Sequence, residues 1–135
     1  MIVIGIVILV CAVALMVIGG MATARKLPGN NLIGLRVEEA RGDQKIWELS
    51  HAVAGPVWFL AGVSFLLGGL VALNATGWMW LLVVVAVVVG VLAISIGSNM
   101  GARTAYLAAE ATKNEDKPAV DLGALRNAAR RADNS

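Results

Sequence analysis

Residues Ala52–Ala102, AVAGPVWFLAGVSFLLGGLVALNATGWMWLLVVVAVVVGVLAISIGSNMGA, contain no Asp, Glu, Lys or Arg. A helix needs about 20 apolar residues to cross a bilayer, so this run holds two crossings with a turn between them. The turn is Asn74-Ala75-Thr76-Gly77, the only hydrophilic break in the run, and asparagine and glycine suit a tight reversal. Trp78 and Trp80 follow at once, where indole rings anchor at a membrane–water boundary. A second uncharged run, Met1–Ala24, adds one more crossing. The valine-rich segment after Trp80 would favour a strand in water. In lipid a lone segment satisfies its backbone groups only as a helix.

The sequence therefore predicts an all-α membrane protein with a single domain, 1–135, and three transmembrane helices at about 2–21, 51–73 and 78–100. A loop, 25–50, joins the first two spans, and a charged tail, 103–135, follows the third. Composition agrees: 59% of the residues are hydrophobic and 15% charged, the latter well below the quarter usual in soluble domains. A net charge of +2, with no basic patch interleaved with aromatics, gives no reason to expect nucleic acid. Ala22-Thr23-Ala24 looks like a signal-peptide cleavage site, but no basic segment precedes the apolar run. Ile2–Gly20 also exceeds a signal core, so the segment is expected to remain as a span. Cys11, the single cysteine, excludes an internal disulfide.

Orientation follows from the placement of basic residues. Arg25, Lys26, Arg36, Arg41 and Lys45 lie in the loop, six Lys/Arg lie in the tail, and none lies in the Asn74–Gly77 turn. An odd number of spans puts loop and tail on one side, and the excess of positive charge makes that side cytoplasmic. The N-terminus and the Asn74–Gly77 turn are then expected outside and the C-terminus in the cytoplasm.

Asp43 is placed to cap the second helix, which then runs to about Leu73 through Pro56, where a bend is expected. Gly55, Gly62 and Gly69 are seven apart on this helix, and Gly90 and Gly97 are seven apart on the third. Small residues permit close approach of membrane helices. Folding at Ala75–Thr76 brings Gly62 level with Gly90 and Gly55 level with Gly97, so a glycine seam is expected between the second and third spans. The third helix is expected to continue from Ser98 to about Thr112. A last short helix after Pro118, with Val120, Leu122, Leu125 and Ala129 on one side, carries Arg126, Arg130 and Arg131 toward anionic headgroups.

Catalytic constellations are scarce. His51 has no companion ligands for a metal, and no ionisable side chain lies along the spans as a proton or ion path requires. Neither phosphate loop nor activated nucleophile is apparent. Ser64, Ser95, Ser98 and Asn99 are expected to bond to a neighbouring helix or their own backbone. No enzyme activity, cofactor or metal is expected. Trp47, His51 and Gly55, spaced i, i+4, i+8, enter the membrane on the second helix, with Arg36 in the loop before them. The expected role of this group is to tie the loop to the helix entrance, with Arg36 stacking on an indole or pairing with a carboxylate such as Glu48.

The run Pro28-x-Asn30-x-x-x-Gly34-Leu35-Arg36, then Trp47 and His51, resembles the signature of the SdpI family, whose Asn…Gly-x-Arg-Thr loop leads to a Trp…His/Asn pair entering a membrane helix. The resemblance covers Pro28–Pro56, with Val37 where the family usually has threonine and Asp43 where serine is common. Larger members carry a further membrane region with no counterpart here. The resemblance implies that Asn30, Gly34, Arg36, Trp47 and His51 shape a cytoplasmic loop. It also implies a non-catalytic, multi-pass protein of the bacterial inner membrane, of the immunity or signalling type, acting by protein–protein contact. The competing expectation is an accessory subunit of a large membrane assembly, such as a respiratory supercomplex. Either way, other membrane protein subunits are the anticipated partners.

Overall fold

The computed structural model describes residues 2–29, 33–115 and 122–133. Among these described residues five helices follow in order: α1 (Ile2–Thr23), α2 (Glu38–Gly42), α3 (Gln44–Asn74), α4 (Met79–Glu115) and α5 (Leu122–Asp133). No strand occurs among the described residues. α1, α3 and α4 are each long and apolar enough to cross a bilayer. The all-α, three-span architecture read from the charge pattern is the one found.

Element ends have local causes. α1 closes with Lys26 N–H donating to the Met21 carbonyl (2.9 Å) and Arg25 N–H to the Ala22 carbonyl (3.1 Å). Arg25 takes φ +57°, the left-handed position of a Schellman cap, where glycine is more usual. α3 starts on Asp43, whose carboxylate accepts from Lys45 N–H at 2.7 Å, satisfying one of the orphan donors of the first turn. Pro56 lies inside α3 without dividing it. Gly77, at φ +52°, turns the chain into α4. With 37 residues, α4 is about 55 Å long at 1.5 Å per residue. It therefore outruns a hydrocarbon layer of about 30 Å, and its last turns stand outside. The short α2 has no hydropathy signal and was not anticipated. It packs against α3 and α4 beside the helix entrance.

α3 is the central helix: α1 and α4 each pack on it and not on each other. The glycines show how, and they correct the expected seam. Gly55, Gly62 and Gly69 face α1, not α4. A Cβ at Gly55 would meet Thr23 N at 2.5 Å, one at Gly62 would meet Met16 N at 2.9 Å, and one at Gly69 would meet Leu9 at 2.8 Å. α1 answers with its own heptad of small buried residues, Gly5, Ala12 and Gly19. Gly90 and Gly97 do face α3, but against Phe65 and Ala61, and against Trp58 and Val57. The α3 glycine turned to α4 is Gly68, whose Cβ would lie 2.9 Å from that of Ala86. A seven-residue spacing fixes a stripe on a helix, yet leaves open which neighbour the stripe faces. Between α1 and α4 the cluster of Leu35, Ala54 and Trp58 is closed by Ile18 of α1 and Ile94 of α4.

The membrane serines are satisfied as expected. Ser64 donates to Ala86 O across the α3–α4 contact (2.8 Å), and Ser95 donates to Val91 O one turn back (3.0 Å).

Candidate functional site

The first turns of α3 gather Trp47, Ser50, His51, Ala54 and Trp58 on one side, and all five are buried. Their spacing of three and four residues is that of a single helix face. Burial leaves each polar atom in need of a partner, and the loop after α1 supplies two of them. Trp47 Nε1–H donates to the Leu27 carbonyl at 3.1 Å. The Leu35 N–H donates to His51 Nε2 at 2.9 Å. His51 Nδ1 lies 2.8 Å from the Trp47 carbonyl. That carbonyl can only accept and the Leu35 amide can only donate, so the partners select the neutral imidazole with its proton on Nδ1. Ser50 donates to Ile46 O at 2.6 Å, one turn back in its own helix.

Ring packing reinforces the bonds. The Trp47 and His51 centroids are 4.0 Å apart with planes inclined by 31°. Trp58 stands edge-on to His51 at 5.8 Å and 78°, a favoured approach for aromatic rings. Trp58 Nε1–H in turn donates to Ser98 Oγ on α4 at 3.2 Å. The loop, α3 and α4 are thus joined by adjoining contacts running from Leu27 to Ser98.

Gly34 is the hinge of the loop. Its φ is +116°, a region that side chains rarely adopt. An added Cβ would also run into His51 Nε2 and lie 3.1 Å from Trp47 Cη2. Leu35 then plunges into the cluster with Ala54 and Trp58 and packs over Gly101 of α4, where a Cβ would meet Leu35 Cδ1 at 2.5 Å. The next residue, Arg36, is exposed.

Of the residues singled out in the sequence, the structure brings Gly34, Trp47 and His51 together. Arg36 lies beside them but points away. It neither stacks on an indole nor pairs with Glu48, which accepts from Gln44 Nε2 instead (2.9 Å). Gly55 leaves the group too, being turned to α1 by the offset that accumulates over eight helical residues. Asn30 lies outside the described residues. Sequence reasoning missed Leu27, Leu35, Ser50, Trp58 and Gly101. Ser50 and Trp58 carry a signal, since they share the Trp47–His51 face. Leu27 and Leu35 each pack a buried side chain and also act through the main chain, and residue type does not betray the second part.

Every buried side-chain nitrogen and oxygen among the described residues has a partner, and no three His, Cys, Asp or Glu side chains among them converge as metal ligands would. Both His51 nitrogens are engaged. In this arrangement the ring is a bracket that holds the loop, with neither nitrogen free to meet a ligand.

The model of the SdpI/YfhL protein family matches residues 26–97, from the pinned loop through α2 and α3 into the apolar part of α4. Comparison with curated proteins and with solved structures gives no match. The matched stretch is more than half of the chain and contains the whole bracket of Gly34, Trp47 and His51 on a membrane helix, and on that ground the chain is a multi-pass membrane protein that belongs to the SdpI/YfhL family.

Proposed function

We propose that the protein is a non-catalytic protein of the bacterial inner membrane that acts in immunity or signalling by contact with another protein, through its cytoplasmic loop. The observation that carries this reading is the contrast between two adjacent residues. Leu35 is buried and bonded to His51, while Arg36 is held out into solvent beside it. A guanidinium next to a main chain already anchored on His51 costs little further ordering when it engages a partner, and arginine is enriched where protein surfaces meet. Bracket residues that occupy one another's polar atoms support a scaffold more than a reaction centre.

The test is partner capture from native membranes by the tagged protein. Arg36→Ala should lower recovery of a soluble regulator or a toxin about 30-fold, the effect of losing a hot-spot residue. Membrane insertion and thermal stability should stay unchanged, because Arg36 is exposed. Undiminished capture by the variant refutes the role.

A second reading, an accessory subunit of a large membrane assembly, is favoured by how little of its spans the chain covers. Within the most apolar 18-residue stretch, 17% of α1 and 11% of α4 is buried, which leaves long apolar faces for neighbouring subunits. Stoichiometric co-purification with respiratory subunits, unaffected by Arg36→Ala, would select this reading over the first.

A further inference from the structure

α5 packs against none of the other helices, yet it is a regular helix of 12 residues. Isolated helices of that length are marginal in water, and this one is two-sided. Leu125, Ala128, Ala129 and Ala132 follow the i, i+3, i+4, i+7 pattern of a single face. Arg126 borders that face on one flank beside the one acid, Asp133, Arg131 borders it on the other, and Arg130 stands farther round toward the polar back. All of these side chains are exposed. One leucine and three alanines offer too little apolar area to hold a protein groove, whereas guanidinium groups on both flanks of a shallow apolar strip, with a third farther round, match a phosphate-bearing surface.

We propose that α5 lies on the membrane its own chain crosses. Its alanine-leucine face turns to the acyl boundary, and Arg126, Arg130 and Arg131 engage anionic lipid headgroups. The reach is sufficient. From Ala102 to Glu115 α4 rises about 20 Å beyond the uncharged run, and residues 116–121 span at most about 20–25 Å when extended. Because the spans tether α5 at this distance, docking is an intramolecular event, and a weak headgroup affinity is enough to populate it.

The experiment uses the full chain with Cys11→Ala and Ala129→Cys, the new thiol carrying an environment-sensitive fluorophore. Nanodiscs of phosphatidylcholine alone are compared with discs in which a third of the lipid is phosphatidylglycerol. Both leaflets of a disc are accessible, so the result does not depend on orientation. Emission should shift to the blue only in the anionic discs and return on raising salt. Arg126→Gln and Arg131→Gln should each lower the docked-to-free ratio about five-fold, Arg130→Gln should lower it less, and the triple variant should abolish the shift. Thermal unfolding of the spans should be the same throughout, since α5 packs on none of them. A spectrum that ignores lipid charge, as docking on the stalk of α4 would give, overturns the proposal. So does a triple variant that keeps the shift.

Discussion

Gly34 is where one added carbon changes most. Its φ of +116° is strained for any side chain, and a methyl group there points at His51 Nε2, the atom that receives the Leu35 amide. The two effects add, because relieving the contact moves the bracket while relieving the strain moves the loop. Gly34→Ala should cost about 2–3 kcal/mol, the upper part of the range for a strained backbone position. Limited proteolysis should then cleave at Arg36 and Arg41 several-fold faster than in the parent, with the spans still folded. An unchanged cleavage rate would mean the loop is held by something other than this bracket. The residue types of this group were legible in the sequence, because Gly34, Trp47 and His51 stand out at the head of an apolar helix. Their partners were not. Leu27 offers its carbonyl to Trp47, and Leu35 its amide to His51, groups that every residue type but proline carries alike.

At the level of helices, three heptads of small residues meet on α3. Gly5, Ala12 and Gly19 of α1 lie along Gly55, Gly62 and Gly69, while Gly90 and Gly97 of α4 lie along Ala61, Phe65 and Trp58. Close packing of this kind is lost when a bulky side chain separates the backbones. Gly62→Leu and Gly90→Leu should each destabilise the protein in detergent by about 1–3 kcal/mol, as over-packed cores do. The identity of the obstructed neighbour separates them. Met16→Ala should recover part of the loss in Gly62→Leu, and Phe65→Ala part of the loss in Gly90→Leu, with no recovery in the crossed pairs. Rescue of Gly62→Leu by a small residue on α4 would restore the seam between the second and third spans that sequence alone suggests.

For the molecule as a whole, orientation is decided by where Lys and Arg lie, since translocating them is costly and short loops obey the bias. With Cys11→Ala, a cysteine introduced as Thr76→Cys should react with a membrane-impermeant maleimide added outside intact cells, and Asn127→Cys should react only after the membrane is opened. The reverse pattern would put the pinned loop and Arg36 outside and remove the basis for a cytoplasmic partner. By itself the sequence determined the all-α class and the number of spans, because lipid sorts charge from apolar surface one segment at a time and leaves that sorting visible in the order of residues. Only the tertiary structure decided that α3 is the central helix, that its glycines face α1, that Arg36 stands free of Glu48 and that main-chain groups of Leu27 and Leu35 complete the bracket. Those outcomes depend on which faces meet and on backbone atoms common to all residues, and a linear pattern of side chains carries neither.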